Sequence, residues 1–398
     1  MAMGHEGDRQ GDLMVTWAEM PRSPGHVFYD RLQEVLIAGG FDRFVETACQ
    51  PCYAARMGAP SVPPGRYFRL HRVGHFEGIA SERGIAWRCS GSLALRDFLR
   101  LESREKIPDH SGLSKTRGRL PHEVHETVFG WVLKCVAERG LVQGRRIGIE
   151  ASTMEADAAL RTIVRREDGR TYREMLTPMA RESGIATPTA DGLVRIGRAR
   201  KDKTLSNAEW TSKTDPEARI ARLKDGRTHL AYQPEHAIDL DTGIIVAATI
   251  HPADHGDTTT IAGTLMATQE NLAQSGAAPT TDPPSERVAD KGYHARALLK
   301  NRDGGVGKTR IVEPRPPGFS RWHGDEEARR AVYANRTRLC SGVGKPAMRR
   351  RAEIVERSFA PTLDRGGRRR TGLRGRDNVP KRSLIHLAGH NLGILCGG

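Results

Sequence analysis

Aromatic residues are scarce in this sequence, at 5% of 398 residues, so a carbohydrate-binding platform built from stacked rings is a poor fit. Six cysteines over that length are too few for a disulfide framework, and a reducing compartment is expected. Cys49-Gln50-Pro51-Cys52 stands alone, without the second cysteine pair of a zinc ribbon or the context of a thioredoxin motif. Hydrophobic residues reach 37%, under the usual ~45–50%, although that range also counts glycine, of which there are 43 here. No run approaches the roughly 18 apolar residues of a membrane helix, and Met1–Gln10 is polar and charged, so no membrane partner is expected.

Positive charge is what the sequence has in excess. Lys and Arg number 63 against 48 Asp and Glu, a net charge of +15, which points to a polyanionic partner, nucleic acid before membrane. The excess is uneven: residues 341–398 hold 13 Lys and Arg against 4 Asp and Glu, over half the net charge. Arginine suits phosphate because its planar fork donates two parallel hydrogen bonds and stays charged. A solvated surface accounts for such a run as well. What favours a site is that Arg349, Arg350, Arg351 and Arg357 share an apolar-periodic helix with an acid, Glu356.

The length suits two or three domains at ~100–200 residues each. Residues 1–62 hold a helix pair, 28–38 and 41–52, before the prolines of Gly58–Gly65 break the pattern. Residues 63–140 read as a second, mostly helical domain. Val124, Val128, Trp131, Val132 and Val136 form an apolar stripe after Pro121, closed by Gly140. Ser111–Arg119 is a short polar helix with Lys115, Arg117 and Arg119. Short helices with tight turns suit a helix-turn-helix-like DNA contact; a plain dimerisation bundle fits equally well. Residues 141–398 change character: a strand at Arg146–Ser152, then a hairpin of Thr228–Leu240 and Ile244–Ile250 about Asp241-Thr242-Gly243. A helix capped by Asp257 and short strands at Arg287–Asp290 and Thr309–Val312 follow, with Tyr293–Lys300 helical between them and a last helix from Pro346. The polar stretch 167–227 reads as an inserted arm, too polar for a core. The fold class expected is α/β, a mixed sheet with flanking helices.

Three acids stand out by position: Glu150 on the first strand, Asp290 ending the strand V-A-D, and Glu356 on the arginine-rich helix. Phosphodiester chemistry with water or a 3′-hydroxyl uses two metal ions roughly 3.5–4 Å apart, and Mg²⁺ takes carboxylate oxygens plus waters. Singly, each acid reads as an ordinary surface or ion-paired residue. Met348, Val355 and Phe359 mark the buried face of the helix by their spacing, with Glu356 at its rim.

The ordered blocks P-D-H-S-G-L-S-K-T-R (Pro108–Arg117), G-I-E-A-S-T-M-E-A (Gly148–Ala156), E-H-A-I-D-L-D-T-G (Glu235–Gly243), P-A-D-H-G-D-T-T-T (Pro252–Thr260), V-A-D-K-G-Y-H (Val288–His294) and R-R-R-A-E-I-V-E-R-S-F-A (Arg349–Ala360) carry a resemblance. From about residue 60 to its end the sequence resembles bacterial insertion-sequence transposases of the DDE type. The resemblance implies a ribonuclease-H-like core, Mg²⁺ (or Mn²⁺) held by Glu150, Asp290 and Glu356, and phosphates positioned by Lys291, Arg349, Arg350, Arg351 and Arg357. It implies double-stranded DNA as partner, at element ends and target, a homodimer or higher assembly on that DNA, and a cytoplasmic, nucleoid-associated protein. Asp290 then corresponds to the second catalytic aspartate and Glu356 to the catalytic glutamate. The first acid of the pattern is an aspartate, and this sequence has Glu150 there; the arginine four residues before the glutamate is Ala352, with Arg351 beside it. One extra methylene displaces a carboxylate by about a bond length, and ~1 Å of misplacement can cost ~100-fold in rate. A DNA-binding relative with impaired catalysis is therefore one alternative, and a Mg²⁺-dependent nuclease without strand transfer another.

Other signals are set aside. Gly304–Thr309 reads G-G-V-G-K-T but leads into a strand-like run, whereas a phosphate-binding loop leads into a helix. His251, Asp254, His255 and Asp257 suit turn and cap roles, and His386 and His390 suit packing. Trp322 fits base stacking or anchoring equally well.

Overall fold

A computed structural model describes residues 27–54, 58, 60–102, 104–199, 206–223, 226–277, 284–303, 308–314, 322, 324–359, 363 and 369–397. Seven helices come first: α1 (Val27–Ala38), α2 (Phe41–Cys49), α3 (Pro64–Phe76), α4 (Glu82–Ser90), α5 (Leu93–Phe98), α6 (His110–Arg119) and α7 (His122–Glu138). Their ends follow local chemistry. Ser81, Ser92 and Asp109 cap α4, α5 and α6 by accepting the backbone N–H of Gly84, Leu95 and Gly112. Gly140, at φ 71°, ends α7 where a left-handed residue is needed. Buried stripes on α1 (Tyr29, Leu32, Val35, Leu36) and α7 (Val124, Val128, Val132, Val136) match the sequence periodicity. α3 departs from a simple stripe, because Arg69 and Arg72 are both buried. Arg69 pairs with Asp42, and the Arg72 guanidinium lies 4.5 Å from the Phe41 ring centre, so each charge has a partner.

The sheet comprises β1 (Arg146–Ala151), β2 (Met154–Glu155), β5 (Arg219–Arg222), β6 (Thr228–Asp239), β7 (Ile245–Pro252), β8 (Glu286–Ala289) and β9 (Lys308–Ile311). Its central order is β7–β6–β1–β8–β9, antiparallel through β7, β6 and β1 and parallel through β1, β8 and β9. The expected hairpin is β6–β7, turned at Gly243 with φ 81°. Three helices follow the hairpin around the parallel strands: α10 (Asp257–Gln274), α11 (Arg296–Asp303) and α12 (Glu326–Cys340). α13 (Gly344–Phe359) crosses β1 and β8, and α14 (Gly375–Gly397) runs between α7, α3 and β7, so one hydrophobic core spans helices and sheet. Of the set-aside loop, residues 304–307 lie outside the described residues, and Lys308 and Thr309 begin β9.

Two expectations need correction. The stretch 167–227 builds structure of its own: α8 (Tyr172–Glu182), α9 (Ala190–Ala199), and β4 (Trp210–Ser212) paired with β3 (Ile163–Arg165). Its few apolar residues are concentrated, so Leu176, Ala180 and Leu193 form one small cluster and Trp210 and Ile220 join Tyr232 in another. β5 also adds to the main sheet, and Tyr232 donates to Asp215 at 2.7 Å. The second correction is Asp257. Gly256 stands at the cap position of α10 with no side-chain cap bond, and Asp257 accepts from Gln233 Nε2 at 2.7 Å.

The outer strands of the central order are closed by asparagine. Ile245 of β7 donates its N–H to Asn391 Oδ1 (2.9 Å) and accepts from Asn391 Nδ2 (2.8 Å); Ile311 of β9 does the same with Asn335 (3.0 and 2.8 Å). Both asparagines are fully buried, and each side chain stands in for the next strand. Asn391→Leu leaves two backbone groups orphaned in the core, at about 1–3 kcal/mol each. We expect denaturant unfolding to show a loss of about 2–4 kcal/mol; a loss under ~1 kcal/mol would contradict this role.

Candidate active site at the ends of β1 and β8

Alternation along β1 sends Ile147 and Ile149 to one face of the sheet and Gly148 and Glu150 to the other. α13 lies on the Gly148 face. A Cβ on Gly148 would come 2.5 Å from Leu240 and 3.3 Å from Val355, so glycine is what lets this helix approach β1. The parallel register ends with Gly148 beside Val288 and Ile149 beside Ala289. One residue further, Glu150 continues β1 on the face α13 covers, and Asp290 follows the last residue of β8, so both stand at the same end of the sheet. On the other side of β1, Glu150 pairs in register with His236 of β6, whose ring stacks on Phe359 at 4.3 Å between centroids. α13 is thereby anchored at Glu150 through Arg351 and at His236 through Phe359. Glu356 lies on the helix between these two anchors; its side chain lies outside the described residues.

Arg351 is only 7% exposed. It donates to the Ile149 carbonyl at 3.3 Å and pairs with the Glu150 carboxylate. It was expected to hold phosphate, and the structure instead turns it inward onto the first acid. The other basic residues are disposed differently. Lys291 and Arg349 are exposed. Arg350 donates to the Leu240 carbonyl at 3.0 Å, while Arg357 reaches out to Glu353 at 3.0 Å. Asp290 accepts the N–H of Lys291 at 2.6 Å.

Behind this end of the sheet lie two further acids, Glu235 and Asp257, of which only Asp257 was expected in a turn or cap role. Glu235 is fully buried and accepts from Thr260 and Tyr293, both at 2.8 Å, and from Thr264. Burial pushes its carboxyl up, but hydrogen bonds from His251, Thr264, Tyr293 and Thr260 outweigh that and hold it below the usual glutamate range. Asp257 goes the other way: burial, then the charges of Glu235 and Asp290, raise its carboxyl despite the Gln233 hydrogen bond. The blocks E-H-A-I-D and P-A-D-H-G-D-T-T-T contained both residues, but nothing local in them indicates that they meet.

The donor chemistry is that of a Mg²⁺ site, with carboxylate oxygens at adjacent strand ends. In the structure Arg351 pairs with Glu150, and the side chain of Glu356, the third acid of the expected set, lies outside the described residues; among the described residues no three His, Cys, Asp or Glu side chains are grouped to hold a metal ion.

The architecture is thus a mixed α/β protein with acids at the ends of adjacent parallel strands and an arginine-rich helix laid across them. Residues 19–119, which take in α1 to α6, match a family model described as Transposase domain (DUF772), and the match supports a transposase role. No curated protein and no solved structure matches the chain. No helix among the described residues is long and apolar enough to cross a membrane.

Removing one partner of the Glu150–Arg351 pair leaves a charge without compensation. The cost of Glu150→Gln is about 1–3 kcal/mol, below the ~3–5 of a fully buried pair because Glu150 still meets solvent. In an Arg351→Met background the same change should cost well under 1 kcal/mol. A urea-unfolding double-mutant cycle measures this, and equal costs in both backgrounds would rule the coupling out.

Proposed function

We propose that the chain is a bacterial insertion-sequence transposase of the DDE type, with a ribonuclease-H-like core that handles the ends of its element. The observation that supports the reading is the parallel β1–β8 register, which brings the strand ends that lead into Glu150 and Asp290 to one end of the sheet, with α13, the helix that bears Glu356 and Arg349–Arg351, across the same two strands. Exposed Lys291, Arg349 and Arg357 then supply the phosphate contacts, with Arg350 beside them. The N-terminal helices contribute to end binding or assembly, supported by the transposase-domain match over residues 19–119. The reading carries with it Mg²⁺, or Mn²⁺, at Glu150, Asp290 and Glu356. In the structure Arg351 pairs with Glu150, so holding a metal there requires that pair to open. It also carries a dimer or higher assembly on DNA and a nucleoid location.

The Glu150–Arg351 pair favours a second reading, a DNA-binding relative with impaired catalysis. Glutamate is long enough to meet the guanidinium while remaining at the strand position of the first acid. Aspartate, shorter by one methylene, reaches it less well and is freer to serve the reaction.

Both readings meet in one assay, with duplexes bearing the element ends, Mg²⁺ and a gel readout of cut and joined products. The parent protein should bind with strong salt dependence and join weakly. Glu150→Asp should raise joining by about 10–100-fold, and Asp290→Ala should abolish it. Joining that survives Asp290→Ala would defeat the site assignment, and nicking without joining would point to a nuclease.

A further inference from the structure

A second charged site lies away from the acids, where the N-terminal helices meet the C-terminal segment. A cleft of about 400 Å³ is lined by Ser81 and Glu82 at the start of α4, Arg117 of α6, Asp157, Arg370 and Arg382 of α14, among others. Arg117 and Arg382 are 9% and 8% exposed, so two guanidinium groups are committed to its wall. Arg117 pairs with Glu82 and donates to Ser114 Oγ at 3.1 Å; Arg382 donates to the Ala80 carbonyl. Among the described residues, neither Arg117 Nε nor Arg382 Nε has a hydrogen-bond partner. Buried N–H donors are rarely left without an acceptor.

The local charge has the same sign. Arg117, Arg370 and Arg382 face two carboxylates in the lining, and Asp157 is already held by Arg374 at 3.0 Å. Burial, then the like charge of Arg117, pushes Arg382 down to about 10, and an anion beside it would offset both effects. His71 packs behind Glu82, at 3.9 Å from its carboxylate. Burial, with the charges of Arg382 and Arg117, keeps that ring well below its ordinary range, so the positive potential near neutral pH comes from arginine alone. Ser81, the capping residue of α4, lines the same wall, where its hydroxyl accepts the Gly84 N–H. Beyond the rim, α4 and α6 expose Arg83, Trp87, Lys115 and Arg119.

We propose that this cleft is an oxyanion site that takes a phosphate group, held by Arg117, Arg382 and Arg370 with the start of α4. Arg370 is the adjustable member. Its side chain is 59% exposed, and its contacts with Glu155 and Asp157, at 3.8 and 4.0 Å, are loose enough to exchange for a ligand. Glu82 is the competitor, since it occupies Arg117 as a phosphate oxygen would. The site is independent of the carboxylates at β1 and β8 and of any strand chemistry there.

The probe is inorganic phosphate, titrated calorimetrically into the full chain at ionic strength fixed with chloride. Saturable binding should weaken by about fivefold or more in Arg370→Ala, a surface change that leaves the buried pair in place. It should tighten by about threefold or more in Glu82→Gln, which keeps the shape and removes the competing charge. No saturable binding in either the parent or Glu82→Gln, or affinities unmoved by both substitutions, overturns the proposal. A duplex arm separates the sources of the phosphate. If Arg370→Ala also weakens duplex binding and lowers its salt slope by about one, the group is a DNA phosphodiester. If duplex affinity is unchanged while phosphate binding falls, the ligand is a free phosphate. Absence of any duplex binding would sink the DNA reading and leave the phosphate result standing.

Discussion

The parallel pairing of β1 with β8 is the constraint on which the rest of the site depends. Because the register runs Gly148 to Val288 and Ile149 to Ala289, the residues that follow on both chains emerge at one end of the sheet, Glu150 on the Gly148 face of β1. Two acids separated by 140 positions in the chain are thereby brought to the same end of the sheet. The same face must accept a helix close enough to complete the group, and Gly148 provides that approach, because a side chain there would run into Leu240 and Val355. The asparagines that close β7 and β9 hold the outer strands of this arrangement, so its far edges are satisfied from helices α14 and α12.

On this frame, electrostatics decides what the site does. A strand-end carboxylate beneath an arginine-rich helix can either receive a cation from solvent or be neutralised from within the fold. Glu150 is neutralised from within, by Arg351, whose burial leaves it few other places to put its charge. Among the described residues Asp290 keeps only its local bond from Lys291, and Asp257 sits close enough to feel its charge. The arginine excess of residues 341–398 therefore divides into two functions. Some of it faces outward, as at Arg349 and Arg357, and some balances acids, as Arg351 does for Glu150 in the interior and Arg374 does for Asp157 beside the second cleft.

Local pattern made much of this legible in advance. The helix pair at 28–38 and 41–52, the end of α7 at Gly140, the β6–β7 hairpin and the strand carrying Glu150 all follow from periodicity, caps and turn residues, which act over a few positions. The polar insertion was harder to read. Its core is assembled from scattered residues such as Trp210, Ile220 and Tyr232, which meet only through strand pairing. Asp257 looked like a cap because a capping residue and a first-turn acid carry the same composition; the Gln233 hydrogen bond that distinguishes them comes from another strand. The inward turn of Arg351 and the burial of Arg69, Arg72 and Arg117 were likewise hidden. A sequence marks an arginine as charged but does not locate the carboxylate or ring that will receive it.

On the proposed function, DNA lies across the strand ends of β1 and β8 and along the exposed side of α13. Hydrogen–deuterium exchange of the full chain, with and without a duplex carrying the sequences that flank its coding region, tests it most directly. The account predicts that the duplex slows exchange in residues 289–293 and 345–357, where the exposed basic residues and Asp290 stand. Protection confined to α1 and α2, with those two segments unchanged, would contradict it.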